Sequence, residues 1–257
     1  MNIFVSTEKK TPIVKVAVNM LLLTCLVVGI FWYSLMKIGV TFDFGFITEM
    51  RVRLVDGFLM TFSISVLSLV VSLIIGVTTA IFQSSKILLL RYWSEGYVTL
   101  IRGTPLIMQI YLFFYIVGTA FGIDNRFVCG VLILSIFEGA YIAEIIRGSI
   151  LSIEASQIEA SKAVGFTKKQ MIQHVILPQL FARTLPALTG QFASIIKDSS
   201  LLSMIAIIEL TQTMREISAM NLKLFECYLF LGVLYLCLTL PVSLISKWLE
   251  GRFRYEN

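Results

Sequence analysis

From Gly57 to Ser85 the chain carries no formal charge, and three further windows share the property: Val16 to Met36, Gly103 to Ile123 and Cys227 to Ser246. Each reaches the ~20 residues that a helix needs to cross ~30 Å of hydrocarbon. In hydrocarbon every backbone N–H and C=O must find its partner inside the segment, so such windows fold as helices. Two more segments, Phe127 to Ile146 and Thr184 to Ile208, have the length but contain charges. Hydrophobic residues make up 57% of the 257 and charged residues only 14%, with mean hydropathy +0.87, too little polar surface to cover a soluble globule. The fold class expected is an all-α polytopic membrane protein with six transmembrane helices.

The basic residues choose the orientation. With the amino terminus in the cytosol, Lys9, Lys10, Lys15, Lys86, Arg91, Arg102, Arg147, Lys162, Lys168, Lys169, Arg183, Lys247, Arg252 and Arg254 fall inside or at the inner boundary. Only Lys37, Arg51, Arg53, Arg126, Arg215 and Lys223 fall outside. The positive-inside rule therefore puts both termini in the cytosol. The net charge of +5 is a topology signal of basic residues scattered over short loops, and it gives no reason to expect nucleic acid. Met36 to Val40 offers no small-x-small cleavage site, so the first span reads as an uncleaved anchor. The four cysteines sit in apolar spans without metal spacing, and packing is their expected role. No cofactor and no metal are expected.

One polar insert interrupts the apolar pattern, from Ile153 to Pro178. Ser156 with Glu159 and Thr167 with Gln170 have capping-box spacing, and Gly165 permits the left-handed turn between them. The expectation is two short, exposed, capped helices. A DNA-reading helix-turn-helix also places a glycine between short helices, but spans on both sides would hold this one against the bilayer.

The insert resembles the coupling loop of bacterial ABC-importer permeases: Glu-Ala-Ala, three residues, Gly, nine residues, Ile-x-Leu-Pro. Glu159, Ala160, Gly165, Leu177 and Pro178 keep its spacing, with Ser161 for the third alanine and Val175 for the isoleucine. Gly57 with Thr61, Arg102 to Leu106 with Gln109, Gly139-Ala140-Tyr141 with Glu144 and Arg147, Pro186, Lys197 to Leu201, Glu209-Leu210 and Leu249-Glu250 extend the likeness. Together they resemble the polar amino-acid branch of these permeases, the histidine, arginine and glutamine group. The first span, absent from many members, and Ser199 for the usual threonine are departures. The resemblance implies a five-helix permease core over residues 51–251, preceded by residues 1–50 with the extra helix and followed by the tail 252–257. It implies a second permease subunit, identical or homologous, ABC ATPase subunits docked at the loop around Gly165, an extracytoplasmic solute-binding protein, an amino-acid substrate and a bacterial inner membrane. No Gly is followed by Lys, so the phosphate-cradling P-loop is absent and the chain is not itself an ATPase of that kind.

Ionisable groups at membrane depth are costly and belong on a protein interior or a watery cavity. Glu138, Glu144, Lys197 and Asp198 are such groups, and with Tyr141 and Ser199 they form the candidate substrate pathway. An ion-pair network is the alternative role for Lys197 and Asp198, and Glu144 and Arg147 are expected to pair. Gly139, Gly148 and Gly190 are expected to let helices approach closely. The segment from Glu209 to Phe225 reads as a solvated external helix. Asp198, Ser199 and His174 supply the residue types of a hydrolase, but His174 lies on the polar loop, far along the helix from Ser199. An ion-coupled secondary transporter using Glu138, Glu144 and Asp198 is the rival reading, disfavoured by the capped loop.

Overall fold

The computed structural model describes residues 12–39 and 42–252; Lys9, Lys10, Arg254 and the tail beyond Arg252 lie outside them. The chain divides into two compact units between Phe44 and Gly45. The first unit contains α1 (Ile13–Ile38), an apolar helix stopped by Gly39 in the left-handed conformation, whose N–H bonds back to the carbonyls of Leu35 and Met36.

The second unit is all helical among the described residues. After the short α2 (Phe46–Glu49) comes α3 (Arg51–Gln83), then α4 (Leu88–Arg102) and α5 (Leu106–Tyr111), which continues as a wider π-helical stretch to Gly118. Next are α6 (Arg126–Leu151), α7 (Ala155–Ala163) and α8 (Lys168–Met171). A π turn over Ile172–Ile176 leads into α9 (Leu177–Asp198), followed by 3-10 turns over Ser199–Ile205, α10 (Leu210–Asn221) and α11 (Leu224–Arg252).

Among the described residues, four helices are long and apolar enough to span a membrane, α1, α3, α6 and α11, and the α4–α5 pair with its π-helical continuation makes a fifth if counted as one span. That pair is bent by 110° between Arg102 and Leu106, at the start of the span expected from Gly103 to Ile123. Pro105 lacks an N–H and its ring bars the preceding residue from helical geometry, so α4 cannot run on into α5. Gln109 holds the corner, donating from Nε2 to the carbonyl of Ile101 at 2.8 Å and to Thr104 Oγ1 at 2.7 Å. The expected span Thr184 to Ile208 is divided, between α9 and the 3-10 turns that end at Ala206, a left-handed residue.

α3 and α6 form the centre. Gly57, Thr61, Ser65, Ser68, Ser72, Gly76 and Thr79 recur every three or four residues along α3 and are all buried. Lipid tails are as apolar as leucine, so burial itself drives little association, and small residues that let backbones close up matter more. A Cβ on Gly76 would collide with Ile142 of α6, and one on Gly139 of α6 would sit 2.7 Å from Ile75 Cγ2. Nothing lies within 4 Å of a Cβ at Gly148 or Gly190, so the close approach expected at those two glycines is not made in this chain. Of the cysteines, Cys129 and Cys227 are buried, while Cys25 and Cys237 are exposed, against their expected packing role.

Candidate functional site

The structure gathers the expected site residues into three groups and leaves Lys197 outside them. Glu138, at the middle of α6, is fully buried. Its Oε2 accepts a hydrogen bond from Gln191 Nε2 of α9, while Oε1 has no hydrogen-bond partner among the described residues. The Asp198 carboxyl lies within hydrogen-bonding reach, and a bond between two carboxyls requires a proton between them. Lys197 is exposed and makes no ion pair among the described residues. Among the described residues no ion pair joins Lys197 to another span, the alternative role expected of it with Asp198: successive side chains diverge by about 100° on a helix, and Asp198 meets a second acid.

Tyr141 and Glu144 belong to a different cluster, one to two turns along α6. Glu144 pairs with Arg147, as expected, and also with Arg102 of α4 at 3.3 Å. The Arg102 guanidinium lies over the Tyr141 ring, 5.3 Å from its centroid, and Phe137 packs against the same ring. The bend after α4 thus delivers Arg102 to α6.

Ser199 enters a third group, around a carboxylate that the sequence reading left in solvent. Its Oγ donates to the carbonyl of Ile196 at 2.8 Å, and its hydroxyl lies within reach of Tyr235 of α11. Tyr235 donates to Glu209 Oε2 at 2.9 Å. Glu209 is fully buried and caps α10, accepting from the N–H groups of Thr211 and Gln212, both at 2.8 Å. Burial pushes its carboxyl up to about 7, against the opposing pull of those hydrogen bonds. The next free N–H, of Leu210, goes to Thr61 Oγ1 at 3.0 Å, across 149 residues of sequence. A Cβ on Gly57 would sit 2.5 Å from Thr213 Oγ1, so this glycine lets α10 seat on α3. The solvated helix expected from Glu209 to Phe225 is corrected accordingly: Leu210, Met214 and Ile217 form one buried stripe at helical spacing, a signal present in the sequence. With Ser199 Oγ committed to backbone and His174 out on the loop against Phe166, no hydrolytic triad is assembled.

The polar loop keeps its turn and changes its caps. Gly165 is left-handed, φ +81°, with its N–H bonded to the carbonyl of Lys162. Thr167 and Gln170 form the capping box expected of them. Ser156 and Glu159 do not, because α7 already begins at Ala155 with Glu154 at its cap, and Ser156 Oγ bonds to Glu154 Oε2 instead. Nor is the second short helix separate. α8 runs through the π turn into α9, and that wider turn ends two residues before Pro178, whose ring would press on the carbonyl of His174 in a regular helix. Gln157 bonds to Gln179, and Arg183 bonds to the carbonyl and hydroxyl of Ser152, so the loop is pinned to the foot of α9 from both sides. Glu159, Ala160, Gly165, Leu177 and Pro178 stay exposed while Ser161 is buried.

Comparison with known proteins agrees with this arrangement. Residues 72–255 match the family described as "Binding-protein-dependent transport system inner membrane component". The "Probable glutamine ABC transporter permease protein GlnM" of Bacillus subtilis (strain 168) is 34% identical over 197 residues, 77% of this chain and 91% of the relative. The "L-cystine transport system permease protein TcyB" of the same organism is 37% identical over 198 residues, 76% of this chain and 84% of the relative. A crystal structure of an amino acid ABC transporter with histidines superposes with a TM-score of 0.77 at 31% identity, covering 83% of this chain and all of that one. The chain belongs to the family of binding-protein-dependent transport system inner membrane components.

Proposed function

We propose that the chain is the permease subunit of an ATP-driven importer of polar amino acids. It takes substrate from an extracytoplasmic solute-binding protein and is driven by ATPase subunits docked on the cytosolic loop around Gly165. The observation that carries this reading is the loop: a left-handed glycine between two helices, pinned by Gln157–Gln179 and Arg183–Ser152, in a chain that has no P-loop of its own. A pinned, exposed pair of helices passes on a push as a rigid body. Six spans with both termini in the cytosol, a paired permease and a bacterial inner-membrane location complete the proposal. Glu138 and Asp198 line the substrate path with Lys197 and Ser199 beside them, and Tyr141 with Glu144 marks its cytosolic side.

Gly165→Val tests it. A Cβ there meets nothing within 4 Å, so the variant acts through backbone strain alone, about 1–2 kcal/mol for a β-branched residue at positive φ. In the reconstituted complex, ATP hydrolysis stimulated by the loaded solute-binding protein falls several-fold while membrane insertion is kept. Stimulation at the wild-type level would overturn the coupling role, and uphill uptake by the permease without its ATPase would overturn the function.

A further inference from the structure

The amino-terminal end of α3, away from the acidic pair and from the polar loop, carries a cavity of its own. It has a volume of about 310 Å³ and lies between α2, the start of α3 and α11. Leu54 and Phe58 of α3 and Phe230 and Leu234 of α11 form its walls, and Val55 and Leu59, 55% and 53% exposed, stand at its open side. A space walled by hydrocarbon offers water no hydrogen-bond partners, so what fills it is apolar.

Charge is confined to one end. Arg51 alone among the lining residues is charged. It makes no ion pair among the described residues, whereas Arg53 is taken by Glu216. Glu49, Asp56, Lys223 and Glu226, the other charged residues near these walls in sequence, do not line the cavity. Arg51 also stands in the first turn of α3, which has no acidic residue. The aligned peptide dipoles favour an anion there and leave a cation uncompensated. The uncharged run of α3 begins at Gly57 and that of α11 at Cys227. Arg51 therefore sits at head-group level, and the cavity leads from it into hydrocarbon along the ~12 Å of helix between Arg51 and Leu59. An anion at the boundary joined to a chain in the hydrocarbon is the shape and polarity of a phospholipid.

We propose that this cavity holds one acyl chain of a phospholipid whose phosphate is bound by Arg51. A guanidinium offers a phosphate two parallel N–H donors, and its stem covers apolar surface while its head stays at the boundary. On the proposed topology the lipid belongs to the outer leaflet.

Bound lipid bridges α2, α3 and α11, so it raises the melting temperature of the full-length permease. The purified, delipidated protein in detergent is titrated with three probes. Dioleoyl phosphatidylglycerol has phosphate and chains, dioleoylglycerol has the same chains without phosphate, and glycerol 3-phosphate has the phosphate without chains. Phosphatidylglycerol raises the melting temperature, dioleoylglycerol needs about tenfold more for half the shift, and glycerol 3-phosphate gives none; the tenfold is the loss of one charge-assisted contact. Arg51→Gln erases the difference between the two lipids, and Arg53→Gln keeps it. Both arginines are substantially solvent-accessible, so the variants fold. Leu59→Trp, which narrows the open side, weakens the response to both lipids. Equal half-points for the two lipids, a difference that survives Arg51→Gln, a full response in Leu59→Trp, or a shift with glycerol 3-phosphate overturns the proposal. So does the lack of any lipid response, the result expected if a second copy or another part of the chain covers the cavity. The readout needs no ATPase and no transport, so its failure is distinct from failure of the proposed function.

Discussion

Glu138 and Glu209 are both fully buried glutamates, yet their surroundings are opposites. Glu209 caps α10 with two backbone N–H groups and takes the Tyr235 hydroxyl besides. Glu138 receives one bond, from Gln191, and faces another carboxyl with an oxygen that no donor reaches. An unsatisfied buried acceptor costs about 1–3 kcal/mol, more if charged. Glu209 is held for what it ties together, while Glu138 is kept at a cost to stability, as its proposed place on the substrate path requires.

The largest effect falls on the satisfied glutamate. Glu209→Ala uncaps α10 and strands the Tyr235 hydroxyl, with an expected loss of about 3 kcal/mol in unfolding of the purified permease. A loss under about 1 kcal/mol would break the contrast. The same carboxyl gives a pH signature. Its folded value of about 7 lies above the ordinary 4.5, so between these the folded protein holds a proton that the unfolded chain has released. Stability from this group therefore falls as pH rises through that window, by as much as about 1.4 kcal/mol per pH unit, and Glu209→Gln flattens the slope.

A smaller effect tests whether the α3–α6 packing around Glu138 is as tight as the glycines indicate. Gly139→Ala forces a methyl against Ile75 and Tyr97 and costs about 2 kcal/mol of stability. Gly148→Ala, on the same helix with open space, gains about 0.5–1 kcal/mol from helix propensity. Equal melting temperatures for the two would show that α3 and α6 give way freely at Gly139.

Local chemistry made some of this legible in sequence and distant chemistry hid the rest. The Gly165 turn and the Thr167–Gln170 box depend on residues within four positions, and both form as read. The Ser156–Glu159 pattern has the same spacing but lies inside α7, because Glu154 starts that helix earlier; spacing alone does not say which residue becomes the cap. Glu209 looked solvated because its partners, Tyr235 and the neighbouring Thr61–Leu210 bond, lie 26 and 149 residues apart in sequence. The buried stripe of Leu210, Met214 and Ile217 was the local clue. Arg102 could be assigned to Glu144 and Tyr141 only once the bend at Pro105 was known.

The unsatisfied glutamate carries the smallest change in structure and the most direct test of the substrate path. Glu138→Gln has nearly the same size, and its amide donates toward Asp198 in place of the proton that the two carboxyls share. Stability is therefore held or raised, within about 1 kcal/mol. Transport responds differently. A cationic amino acid passing this point exchanges a buried acid's proton for its own positive charge, and a neutral side chain draws less on that acid. In the reconstituted complex, the basic substrate loses about tenfold in transport rate, equivalent to about 1.4 kcal/mol, and the neutral one loses less, with binding to the solute-binding protein untouched. Equal, undiminished rates for both would reduce Glu138 to a structural residue like Glu209 and move the search for the substrate contact to Asp198 and the exposed Lys197 beside it.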